Sequence, residues 1–246
     1  MTRVTRVTHR GRRWTGRADR RPARPGTCLS ASVTRPHLPK PRLRGWFHQV
    51  AFFVSIPAGI TIVALAQGAK ARVGAAIFAV SLSGLYGVSA AYHRGRWSLR
   101  AEQLMKRLDH SMIFVLIAGS YTPITLLALR PAWGITLLAL AWTGAAVGIL
   151  ITVLRHERWG RVGFVMYLAL GWLAIVATPE VVRSLSRVEL ALLVSGGLLY
   201  TVGAVVLARN RPDPRPAVFG YHEVWHTFVL CAGVCHFVLV FLLVRA

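Results

Sequence analysis

From residue 46 to its end the chain alternates long apolar runs with short polar ones, and seven such runs can be counted, near 49–67, 73–93, 109–129, 132–154, 162–179, 189–208 and 224–244. Each is about 17 to 24 residues long, the length a helix needs to cross roughly 30 Å of hydrocarbon. Inside lipid every backbone N–H and C=O must find its partner within the segment, which at this length leaves the α-helix. The pattern therefore predicts an all-α membrane protein, a seven-transmembrane helix bundle over residues 46–246.

Counting Lys and Arg loop by loop gives the bundle a direction. Arg94, Arg96, Arg100, Lys106, Arg107, Arg155, Arg158, Arg161, Arg209, Arg211 and Arg215 fall on the side of the N-terminal segment. Lys70, Arg72, Arg130, Arg183, Arg187 and Arg245 fall on the other. This asymmetry predicts a cytoplasmic N-terminus and an external C-terminus. Trp46, Trp97, Trp159 and Trp225 then share the inner interface, as an aromatic belt requires.

Composition agrees with a membrane protein: 54% of the 246 residues are hydrophobic and the mean hydropathy is +0.51. The net charge of +22 would suggest nucleic acid in a soluble protein. Much of it, however, is confined to residues 1–45, where thirteen Arg and Lys face the single acid Asp19. That Arg- and Pro-rich stretch cannot bury a core and is expected to be a disordered basic tail. Its partners are expected to be anionic lipid headgroups rather than nucleic acid. An organellar transit peptide would carry an amphipathic helical stripe, which Pro22 and Pro25 interrupt. Cys28, Cys231 and Cys235 form no disulfide framework, and the last two read as small core residues of an apolar helix. No h-region precedes a cleavage site, so a resident inner-membrane protein is expected rather than an exported one.

Against this apolar background three polar islands matter, because ionisable groups within a bilayer cost several kcal/mol unless they pair or bind something. Ser89 and His93 end the second run, Asp109 and His110 begin the third, and His222 and His226 open the seventh. With alternating helix directions all three islands reach one membrane level. His222 and His226 stand at i and i+4, so both imidazoles lie on one helical face at a spacing that suits a single ion. With Glu223 between them the string reads H-E-x-x-H, in which Glu223 would be a metalloprotease base. No third ligand of zincin type follows, whereas His93 is available from another helix. Asp109 fits either a helix-start acid favoured by the helix dipole or a carboxylate beside a metal-activated water. His110 points about 100° away from Asp109 on the helix, and His236 lies roughly 15 Å beyond His226, so neither is expected to be a ligand.

The strings Ser89-Ala90-Ala91-Tyr92-His93, Leu108-Asp109-His110-Ser111, Ala118-Gly119-Ser120-Tyr121-Thr122-Pro123 and His222-Glu223-Val224-Trp225-His226 resemble, in order and topology, the hemolysin III family, the bacterial branch of the progestin and adipoQ (adiponectin) receptors. The resemblance spans about residues 46–246. It implies a zinc ion near the cytoplasmic face held by His93, His222 and His226, with Asp109 beside the water that the metal activates and Ser89 next to the site. The position of Glu223 is not a glutamate in the adiponectin receptors, which weakens its reading as a catalytic base. Alkaline ceramidases belong to the wider superfamily and imply a zinc-dependent hydrolase acting on a lipid amide or ester. The family name implies the alternative, a pore-forming cytolytic or receptor-like protein with structural zinc.

Overall fold

The computed structural model describes residues 41–154 and 160–246, and these are helical almost throughout. The helices are α1 (Trp46–Leu65), α2 (Gly68–Arg94), α3 (Leu99–Leu127), α4 (Pro131–Leu154), α5 (Gly160–Gly171), a 3-10 turn (Leu173–Ala177), α6 (Thr178–Ser184), α7 (Arg187–Arg209) and α8 (Tyr221–Arg245). Taking Val162–Ser184 as one segment, seven helices are long and apolar enough to cross a membrane. The seven-helix expectation is met.

Helix ends follow local chemistry. Ser98 caps α3 by accepting the Ala101 N–H, and Ser186 and Glu189 form a reciprocal capping box on α7. Helix α3 starts at Leu99, ten residues before the apolar run at 109. Hydropathy registers the lipid and not the helix, and Arg100, Glu102, Lys106 and Arg107 extend α3 beyond the apolar segment. Asp109 therefore sits well inside α3, and the helix-dipole reading of this residue falls.

The fifth span is interrupted. After Gly171 the chain tightens into the 3-10 turn, and Pro179 then starts α6 at a position where its missing N–H is not needed. Breaking a helix in lipid frees backbone groups that must be re-paired. Tyr121 of α3 does this at both ends: its hydroxyl donates to the Gly171 carbonyl (3.2 Å) and accepts the Ala174 N–H (2.8 Å). Below the break, Glu180 accepts two-pronged hydrogen bonds from the Arg130 guanidinium and a further one from the Arg130 backbone N–H (3.1 Å). This pair ties the α3–α4 turn to α6.

Helix α2 packs between α1 and α3, while α8 packs along α7 and also touches α1, α2 and α3. Small residues permit these approaches, as lipid-embedded interfaces require. A Cβ on Gly119 of α3 would overlap the Ser81 hydroxyl of α2. The fully buried Ile62 and Phe78 share one core cluster, and the fully buried Phe114 packs in a second with Ala141, Ala145 and Leu170.

Two expectations need correction. Residues 41–45 are not part of a disordered tail: Arg42 and Leu43 donate backbone hydrogen bonds to the carbonyls of Ala217 and Val218 (both 3.1 Å), and Arg44 reaches Glu223. Residues 1–40, Cys28 and Trp159 lie outside the described residues. Cys231 is no core residue but faces outward from the bundle, and Cys235 is half-buried. Trp225 of α8 is half-buried. It stands 5.0 Å from both the His222 and His226 rings, because its place between them in the sequence sets it against the polar cluster.

Candidate metal centre

The site lies where α2, α8 and the start of α1 meet. His93 is the penultimate residue of α2, and the chain that enters α1 passes directly over it. That passage uses Gly45, whose φ of +76° suits glycine and whose added Cβ would stand 2.8 Å from the His93 Cβ. On α8, Asp213 accepts the Tyr221 N–H (2.9 Å) and Glu223 accepts the Gly220 N–H (2.9 Å), so two of the free donors at the helix start are met. His222 and His226 follow on the face that this capped turn presents to α2.

His93, His222 and His226 converge as the sequence predicts. The Nε2 atoms of His93 and His222 are 3.1 Å apart, and the ring centroids of His222 and His226 are separated by 4.5 Å. One ligand atom from each of the three lies within 4.8 Å of the others, so the trio could hold a metal ion. Zinc–imidazole bonds of about 2.0–2.1 Å in a tetrahedron put ligand nitrogens about 3.3 Å apart, close to what His93 and His222 already show. His226 is 1% exposed, and both its ring nitrogens lack a hydrogen-bond partner among the described residues. Burying an imidazole in that condition costs energy that metal coordination would offset. The residues present fit a metal.

Ser89 and Asp109 are both buried, and the Ser89 hydroxyl lies within hydrogen-bonding reach of the Asp109 carboxylate across the α2–α3 interface. Ser89 precedes His93 by one helical turn, and Asp109 is outside the set of converging ligand atoms. Tyr92 and Tyr167 also stand in electrostatic range of Asp109.

Glu223 is completely buried but is already engaged. One carboxylate oxygen accepts from Arg44 and the other from the Gly220 N–H. It serves as a helix cap and ion-pair partner, which agrees with the weakening of the protease reading. His110 turns back to the Lys106 carbonyl (2.8 Å), and His236 packs against Tyr200 with centroids 5.5 Å apart. Neither joins the trio.

Sequence reasoning missed His48. This residue of α1 is 2% exposed and its ring lies flat on that of His226, with centroids 3.8 Å apart and planes 10° from parallel. The available signal was its place near the start of the first span, at the same level as the other islands.

The family described as Haemolysin-III related matches residues 37–237. Hemolysin-3 of Bacillus cereus is 36% identical over 186 residues, covering 74% of this chain and 82% of that protein. The Hemolysin-3 homolog of Bacillus subtilis (strain 168) is 33% identical over 193 residues, covering 77% and 87%. A protein of Oryza sativa subsp. japonica named heptahelical transmembrane protein ADIPOR2 is 28% identical over 180 residues, covering 67% and 79%.

Proposed function

The chain belongs to the haemolysin-III related family, and from that premise we propose that this multi-pass membrane protein is a hydrolase that uses zinc to cleave an amide or ester bond of a lipid. The observation that carries the reading is the convergence of His93, His222 and His226, with Ser89 one helical turn before His93 on α2 and interacting with the buried carboxylate of Asp109 on α3. Three neutral nitrogen ligands leave a fourth position, the pattern of catalytic rather than structural zinc.

Bound there, zinc supplies a Lewis acid that polarises a carbonyl and brings the pKa of a water toward 7. Asp109 would take a proton from the attacking water and return it to the leaving amine or alkoxide, the work of a general base and then a general acid. Ser89 would hold the Asp109 carboxylate in orientation by donating its single hydroxyl proton to it. The apolar walls of α2, α3 and α8 exclude bulk water, which strengthens each of these interactions. The excess of Lys and Arg on the N-terminal side supports a site at the cytoplasmic face of the inner membrane. The basic N-terminal residues supply contacts to anionic headgroups.

The name of the Bacillus cereus relative supports a second reading, a cytolytic protein in which the metal only holds α2 to α8. Metal analysis of purified protein, followed by hydrolysis of lipid amides and esters with and without chelator, separates the two. Chelator-sensitive hydrolysis supports the enzyme, and zinc-replete protein without hydrolysis supports the structural role.

A further inference from the structure

His48 is a buried histidine to which the proposed reaction gives no task. It lies face to face with His226, and its ring also stands 5.2 Å from that of Tyr86. Among the described residues no hydrogen bond reaches either ring nitrogen of His48, and none reaches either ring nitrogen of His226. This combination is unusual for a metal-binding histidine. Such a residue ordinarily donates its second N–H to a carboxylate or carbonyl, which fixes the tautomer and the plane of the ring.

At His226 the plane must therefore be set by packing. The neighbour on one face is the His48 ring, parallel within 10° at 3.8 Å. Rotation of the His226 imidazole about its Cβ–Cγ bond would drive its edge into that flat surface, so the stack leaves one ring plane free of overlap. The same geometry argues against His48 as a fourth ligand. Lone pairs of stacked imidazoles lie in parallel planes and run side by side, whereas ligand lone pairs must converge. His48 is accordingly not one of the histidines whose nitrogens gather.

We propose that His48 is a positioning residue: by ring stacking it fixes the plane in which His226 presents a nitrogen to the metal. This rests on reading His93, His222 and His226 as a metal site. It gives the start of α1, 178 residues before His226, a direct part in metal binding.

The test is zinc affinity, measured by competition with a chromophoric chelator on the purified full-length protein, for His48→Phe and His48→Gln. Phe keeps a flat ring without nitrogens, and Gln keeps polar atoms without a ring. His48→Gln is expected to weaken zinc binding about 10- to 100-fold, the usual effect of losing a residue that orients a ligand. His48→Phe should stay within a few-fold of wild type. The visible spectrum of the cobalt-loaded protein, which reports ligand geometry, should change in His48→Gln and not in His48→Phe. If His48→Gln does not accumulate, His48→Leu removes the flat face with little polar cost and should show the same loss. Wild-type affinity in the ring-less variants overturns the proposal, as does a loss in His48→Phe equal to that in His48→Gln. Wild-type protein that binds no zinc overturns the metal reading of the trio itself, and this inference with it.

Discussion

Arg44 donates its Nε–H to the carboxylate of Glu223, a residue 179 positions further along the chain and completely buried. The contact joins the approach to α1 with the first turn of α8, and it decides what Glu223 can do. A carboxylate whose two oxygens already accept from Arg44 and from the Gly220 N–H is not poised to take a proton from water.

Glu223→Gln should consequently keep zinc and whatever hydrolysis the protein performs, since the amide oxygen can still cap Gly220. Arg44→Ala should behave differently. Glu223 is fully buried while Arg44 is partly exposed, so removing Arg44 leaves a largely uncompensated charge at a cost of up to about 3–5 kcal/mol. Thermal unfolding in detergent should show a clear fall in melting temperature for Arg44→Ala, partly recovered when Glu223→Gln is added. Loss of hydrolysis in a well-folded Glu223→Gln protein would restore the zincin reading.

Gly45 supports His93 from behind. Gly45→Ala would meet both a left-handed backbone, at about 1–3 kcal/mol, and the His93 Cβ at 2.8 Å. Because the collision lies at His93, zinc affinity should fall although no ligand has been changed. Isothermal titration with zinc checks this, and wild-type affinity in Gly45→Ala would show that the close approach has no bearing on the site.

His222→Ala should lose most of its zinc, because two imidazoles from different helices rarely hold the ion firmly. Purified wild-type protein is expected to carry about one zinc per chain by elemental analysis. Full occupancy in both His222→Ala and His93→Ala would remove these residues from the ligand set.

The sequence foretold some of this architecture and missed other parts, for physical reasons. Hydropathy locates the seven spans because transfer into lipid is a property of composition alone. It does not see where α3 begins, since Leu99–Leu108 is helix outside the apolar run. Nor does it see the interruption at Gly171, which depends on Tyr121 from a different helix to re-pair the backbone. The i, i+4 spacing of His222 and His226 is a local relation and was legible. His48 was not, because a lone histidine in an apolar run carries no sign of the distant ring it packs against. Arg44 looked like one more charge in a basic tail until the fold supplied a buried carboxylate.

The direction of the bundle is testable by itself. Lys and Arg asymmetry predicts that a reporter fused after Ala246 faces the outside of the inner membrane. A periplasmic or extracellular reporter should be active there, and activity of a cytoplasm-dependent reporter at the same position would reverse the topology.

The measurement that bears most directly on the proposed chemistry is lipid hydrolysis by Asp109→Asn, with zinc content and melting temperature determined on the same preparation. The substitution keeps the shape and hydrogen-bonding capacity that face Ser89 while removing the basic carboxylate. Zinc and fold should be retained and turnover should fall by about 100-fold or more, the usual loss when a general base is removed. Hydrolysis undiminished in zinc-replete Asp109→Asn would contradict the account.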